Sequence, residues 1–314
     1  MAGNSERRRP SLNDLASLAG RSLPEPALKL LLGSAIHELG VSLCLHRIAP
    51  RPRPTDWQDG LSMPAFELDA LIELLLSSRP GPSRDWLRVS FDDGYRDAGE
   101  YLRTRAPQFP QVQFDFFICP EKAEARAGFR WDLVEQRDRD VALLETPPDV
   151  ERENRRPELR ALAEHPDFAL CTIEELRELG SLPNVTLGNH TSLHLSSARF
   201  PDAVIKADFE RSTATFTRHF GPPENFAFPY GTPRFHFAQR HVDWLRALGS
   251  FPIWTTEARP YRVDELSPGG VLPRFPVDGR QSAQSLAGWI AGRSLAFRAR
   301  GTTHHYEQAH SAIR

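Results

Sequence analysis

Val89-Ser90-Phe91-Asp92-Asp93-Gly94-Tyr95 is the stretch from which the fold can be read. The run leading into it, Trp86 to Phe91, is apolar and β-branched over the length of a strand, and it stops on two carboxylates and a glycine. Adjacent like charges repel, and a buried unpaired carboxylate is costly, so such a pair usually meets a cation or shares a proton. The bland alternative is a solvated turn, because Asp-Asp-Gly is ordinary turn chemistry.

Upstream of this strand, Phe66 to Ser78 sets Phe66, Leu68, Leu71, Leu74 and Leu75 at near-helical spacing and predicts a core helix. A proline-rich loop, Ile48 to Pro64, precedes it. Val41 to Leu45 reads as a buried first strand that delivers His46, after an amphipathic helix over Ala27 to Leu39 that Gly40 ends. Downstream come a helix over Asp97 to Arg105 and a strand over Val112 to Cys119 closed by Pro120.

From about residue 121 to 165 charges dominate and prolines interrupt, with Trp131, Leu133, Val134 and Leu143-Leu144 as the apolar anchors. This reads as a charged insertion, and no chemistry is assigned to it. Order returns at Thr172-Ile173-Glu174-Glu175, a capping box. The strand Val185 to Gly188 then ends in Asn189-His190-Thr191-Ser192-Leu193-His194. Helices over Pro201 to Phe220, Arg234 to Leu248 and Gln281 to Ala296 alternate with strands over Phe226 to Tyr230, Phe251 to Thr255 and Val271 to Val277.

Strands thus alternate with helices about seven times, which argues for a single α/β domain on a mainly parallel sheet, open or closed into a barrel. The expected domain covers residues 25–298, between a mobile N-terminal tail (1–24) and a polar C-terminal tail (299–314). In such folds ligands gather at the carboxyl ends of the strands. His46, Asp92, Asp93, His190 and Tyr230 all fall there.

Composition narrows the classes. A formal net charge of -2 gives no reason to expect a nucleic-acid partner, and the arginine clusters at Arg7 to Arg9, Arg51, Arg53 and Arg152 to Arg160 read as solvated surface. No secretory leader or membrane span is visible, so the expected location is cytoplasmic. Cys44, Cys119 and Cys171 lie in or beside apolar segments without CxxC spacing, which suits reduced, buried thiols. Oligomeric state is not legible.

His190 and His194 are four apart, a spacing that puts two imidazoles on one side of a helical turn or a tight loop, within reach of one ion. A carboxylate from the Asp92-Asp93 strand end completes a two-His, one-carboxylate set with open positions. Coordination needs one of the two acids, and the other is then free to act as a general base.

These residues carry a resemblance. Ser90-Phe91-Asp92-Asp93-Gly94, then His190-Thr191-Ser192-Leu193-His194, then Phe226-Ala227-Phe228-Pro229-Tyr230-Gly231 resemble, in this order, the motifs of the polysaccharide deacetylase family, the NodB-homology domain of carbohydrate esterase family 4. The resemblance spans Val41 to Val277 apart from the insertion. It implies a distorted (β/α)7-type barrel that removes acetyl groups from N-acetylated sugars with a divalent metal, zinc above all. It makes Asp92 the base, and Asp93, His190 and His194 the metal ligands. Pro229 and Tyr230 line the groove, with the Tyr230 N–H on the oxyanion.

Two positions depart from the family pattern. Ala227 stands where an Arg-x-Pro-Tyr form carries the arginine that orients the base, and no Leu-x-His follows Tyr261. In a subgroup resembling poly-N-acetylglucosamine deacetylases the acid histidine lies near the first strand, which points to His46; Arg274, in Leu272-Pro273-Arg274-Phe275, is assigned to the groove. The departures keep two alternatives open: a carbohydrate-binding protein of the same fold without the chemistry, and a hydrolase of a non-sugar amide or cyclic imide.

Overall fold

The computed structural model describes residues 22–49, 60–79, 86–133 and 156–300. Most of both expected tails, most of the proline-rich loop and residues 134–155 of the insertion lie outside the described residues. By packing, the described residues divide into two compact units, one formed by 22–37, 66–79 and 281–300, the other by 38–49, 60–65, 86–133 and 156–280.

In chain order the elements are α1 (Glu25–Ile36), β1 (Leu39–Leu45), β2 (Arg47–Ile48), β3 (Ser62–Met63), α2 (Ala65–Ser78), β4 (Leu87–Phe91), α3 (Arg96–Arg105), β5 (Gln113–Ile118), α4 (Pro120–Ala125) and α5 (Pro157–Ala161). Then follow α6 (Ile173–Gly180), β6 (Val185–Asn189), α7 (Asp202–Phe220), β7 (Phe226–Ala227), α8 (Gln239–Leu248), β8 (Ile253–Trp254), β9 (Tyr261–Arg262), β10 (Val271–Leu272), β11 (Phe275–Pro276) and α9 (Ala283–Arg300).

The smaller unit is helical, built on α1, α2 and α9. Gly33 brings α1 against the end of α2, where a Cβ would meet the Ser78 carbonyl at 2.4 Å. Charged side chains cover helix ends that backbone bonding leaves open: Arg79 donates to the Ile36 carbonyl at 3.1 Å, and Glu67 accepts the Ala283 N–H at 2.8 Å. Leu68, Leu71, Leu74 and Leu75 are buried as their spacing predicts, whereas Phe66, expected with them, is 66% exposed.

The larger unit is a nearly closed, barrel-like sheet in the order β10-β8-β7-β6-β5-β4-β1-β11, parallel throughout, with β9 antiparallel to β1. β1 and β4 are buried along their whole length, the signature of a parallel strand covered on both faces. β10 and β11 occupy the two ends of the strand order, yet only Pro273 and Arg274 separate them in the chain. That short step brings the sheet round on itself.

Several boundaries differ from the sequence expectation for identifiable reasons. The expected strand Val271 to Val277 is two strands, because Pro273 has no N–H for a ladder and the chain there crosses from one sheet edge to the other. α8 begins at Gln239 rather than Arg234, since Arg234 is left-handed (φ 69°) and its N–H turns back to the Phe237 carbonyl. Gly40 does not stop a helix. It lies in β1, where any Cβ would meet the Tyr261 ring at 2.2 Å. No described helix is long and apolar enough to cross a membrane, and all three cysteines are buried free thiols.

Candidate active site

β4 lies between β1 and β5 and carries its backbone straight to Asp92, after which Asp93 (φ 75°) and Gly94 (φ 88°) turn in the left-handed region. Asp is among the few residues that tolerate that conformation. The turn parts the two carboxylates, which are 2% and 4% exposed: Arg274 bonds to Asp92 and not to Asp93.

Asp92 is gripped by Arg274. The guanidinium places Nη1 2.6 Å from Oδ1 and Nη2 2.9 Å from Oδ2, and its other donors reach the Ser90 hydroxyl and the Thr255 carbonyl. Cys44 donates its thiol to Asp92 Oδ2 at 3.5 Å. Burial alone would raise the Asp92 carboxyl, but Arg274 and His190 outweigh it and hold it well below the usual carboxylate range. Asp92 is therefore ionised at neutral pH.

Asp93 faces the histidines. Its Oδ1 lies 3.1 Å from His194 Nε2 and 3.6 Å from His190 Nε2. His190 Nδ1 is 2.8 Å from the Ala227 carbonyl, which can only accept, so Nδ1 carries the proton and Nε2 presents its lone pair. Burial pushes His190 down to about 4, so its ring is neutral at neutral pH. Of the two expected alternatives, a helical turn or a tight loop, the segment between the histidines is a loop, in which Thr191 (φ 67°) and His194 (φ 54°) are both left-handed. Asn189 Oδ1 accepts the Thr191 N–H and Thr191 Oγ1 accepts the His194 N–H, each at 3.0 Å.

Asp93, His190 and His194 bring their donor atoms within 4.8 Å of one another, and all three residues are buried. Asp93 Oδ1 and His190 Nε2 have no hydrogen-bond partner among the described residues. Donors at about 2.0–2.1 Å around a tetrahedral ion stand roughly 3.3 Å apart, which the 3.1 and 3.6 Å separations bracket. The group fits a divalent cation.

His46 and Tyr230 lie around this group, and Arg274 is an exception. His46 follows β1, is partly exposed, and lies near enough to Asp92 and Asp93 to favour their charged forms. Tyr230 is left-handed (φ 60°) in the Pro229-Tyr230-Gly231 turn after β7, its ring centroid 4.9 Å from that of His194. Arg274, assigned to the groove, is 0% exposed beneath Asp92 and cannot line an open surface. From the junction of β10 and β11 its guanidinium pairs with the Asp92 carboxylate.

Trp131 was missed. Within the insertion its ring stacks on Phe129 at 4.2 Å and stands 4.8 Å from the His194 ring, while its Nε1 donates to the Tyr95 hydroxyl at 3.1 Å. Tyr95 in turn donates to Asp132 at 3.0 Å. The signal available in the sequence was a tryptophan isolated among charges.

No family model matches the sequence, and no curated protein matches it. Solved structures do match in fold. A polysaccharide deacetylase from Bacillus cereus superposes with a TM-score of 0.53 at 13% identity, over 80% of this chain and 69% of that one. A de-N-acetylase from Aggregatibacter actinomycetemcomitans gives 0.52 at 13% identity, over 80% of this chain and 100% of its own. A Streptococcus pyogenes deacetylase solved in complex with acetate gives 0.51 at 13% identity, over 80% and 98%. At these identities the likeness is one of fold.

Proposed function

We propose that this chain is a metal-dependent hydrolase that removes the acetyl group from an N-acetylated sugar or polysaccharide, and that residues 25–298 form its catalytic part. The observation that carries the proposal is the separation of two neighbouring acids, Asp93 among imidazoles and Asp92 in the grip of an arginine.

Asp93, His190 and His194 would hold the ion, with zinc the best match to two imidazoles and a carboxylate. When bound, a divalent cation there supplies Lewis-acid polarisation of the acetamide carbonyl and a lowered pKa for water. Asp92, ionised and fixed by Arg274, takes the proton from the attacking water. The Tyr230 N–H donates to the oxyanion, and Pro229 helps shape the groove beside it. His46 gives a proton to the departing sugar nitrogen as the amide C–N bond breaks, leaving acetate and a free amine.

The partly exposed His46 and the arginine beneath Asp92 favour catalysis over a binding protein of the same fold. The test combines metal analysis with acetate release from N-acetylglucosamine oligomers. Asp92→Asn is expected to keep its metal and lose turnover, and a variant that retained most of the rate would remove Asp92 from the role.

A further inference from the structure

The turn that carries His194 is strained and needs support. Left-handed backbone is unfavourable for a residue with a Cβ, and Thr191, β-branched, adopts it together with His194. Such geometry persists where the surroundings over-determine it. Asn189 and Thr191 hold the turn from within its own segment. Asp208 holds it from outside.

Asp208 lies on α7, 3% exposed. Its Oδ1 accepts the Leu193 N–H at 3.1 Å, and the Ser192 N–H and the Thr191 hydroxyl lie close enough to favour its charged form. Thr191 Oγ1 accepts the His194 N–H and its hydroxyl lies beside the Asp208 carboxyl, so Asp208 braces the turn at Leu193 and stands next to the group that holds His194. Asp208 Oδ2 is buried without a partner among the described residues. The carboxyl therefore spends its bonding on this turn.

We infer that Asp208 is a positioning residue for the candidate ion site: it fixes the turn that aims the His194 imidazole, and through it sets the affinity for the ion. The inference rests on the proposed metal reading for its ion, and on hydrogen-bond geometry for the rest. Burial and the neighbouring Glu121 push Asp208 up to about 7, so an uncharged acceptor is a close stand-in for it.

The experiment titrates zinc alone into metal-stripped wild type, Asp208→Asn and Asp208→Ala against a chromophoric chelator, and follows hydrogen exchange at the Leu193 amide in the metal-free proteins. Asp208→Ala is expected to bind zinc about 10–100-fold more weakly, the usual cost of losing an outer-shell hydrogen bond, and to exchange Leu193 faster. Asp208→Asn keeps the acceptor and is expected to stay near wild type in both. Asp208→Leu, which fills the space without an acceptor, replaces alanine if the alanine variant does not fold. Wild-type affinity and wild-type exchange in a folded acceptor-less variant would overturn the inference, as would an asparagine variant as impaired as alanine. A wild type that takes up no zinc overturns the metal reading as well. Tight wild-type binding with no effect of alanine overturns this inference alone.

Discussion

Arg274 closes on Asp92 with both arms of its guanidinium, at 2.6 and 2.9 Å, while Asp93, one residue on, sits 3.1 Å from His194. Removing the arginine leaves a buried carboxylate unpaired. Arg274→Ala is expected to lower stability by about 3–5 kcal/mol, as breaking a buried pair does, measured by urea unfolding. Because Arg274 is what holds Asp92 low against burial, the acidic limb of the rate profile should move to higher pH in the variant. Arg274→Lys keeps the charge but not the fork and should fall between. An unshifted acidic limb in a folded Arg274→Ala would remove Asp92 as the group that titrates there.

The donor set can be tested by activity and by binding. Stripping the protein with a chelator should end hydrolysis, and zinc should restore it. His190→Ala and His194→Ala should each weaken zinc binding by more than the roughly 10–100-fold that loss of an outer hydrogen bond costs. Calorimetric titration reads this directly, and wild-type affinity in either variant would remove that histidine from the set.

Trp131 presses one face of the site, stacked on Phe129 and close to the His194 ring. Trp131→Ala should cost about 3–5 kcal/mol and weaken zinc binding, whereas Trp131→Phe, which keeps the ring but loses the bond to Tyr95, should cost less. Unfolding curves and zinc titrations on the two variants check the order.

Asp208 also predicts a pH dependence of stability. Its folded value of about 7 lies above the unfolded carboxylate value of about 3.9. Between roughly pH 4 and 7 the folded state therefore binds more protons at this position, and its contribution is lost as pH rises through that window. Asp208→Asn has no proton to lose. Its stability relative to wild type should improve from pH 4.5 to 7.5 in urea titrations; a constant difference would place the wild-type carboxyl outside that range.

How much of this was legible depended on whether the signal was local. Asp92-Asp93-Gly94 after an apolar strand, and two histidines four apart after another, announce themselves within a few residues. The pairing of Arg274 with Asp92 does not, since it spans 182 positions and depends on which strand edges meet. Asp208 was hidden by its neighbours, because Lys206, Glu210 and Arg211 make that stretch of α7 look like a solvated face. β7 to β11 are two residues each, too short for a two-residue period to show, which is why the last part of the sheet was drawn with the wrong limits. The spacing of the histidines left their backbone open between a helical turn and a tight loop, because left-handed Thr191 and His194 depend on side-chain bonds that spacing does not reveal.

The two-residue step between β10 and β11 ties the integrity of the sheet to the setting of the proposed base. A chain truncated before Pro273 would still encode Asp93, His190 and His194, so it could retain the ingredients of an ion site while losing the arginine and the strand that flanks β1. Loss of the final segment would thus separate two properties proposed for the intact protein: holding a cation and keeping a buried acid poised beside it.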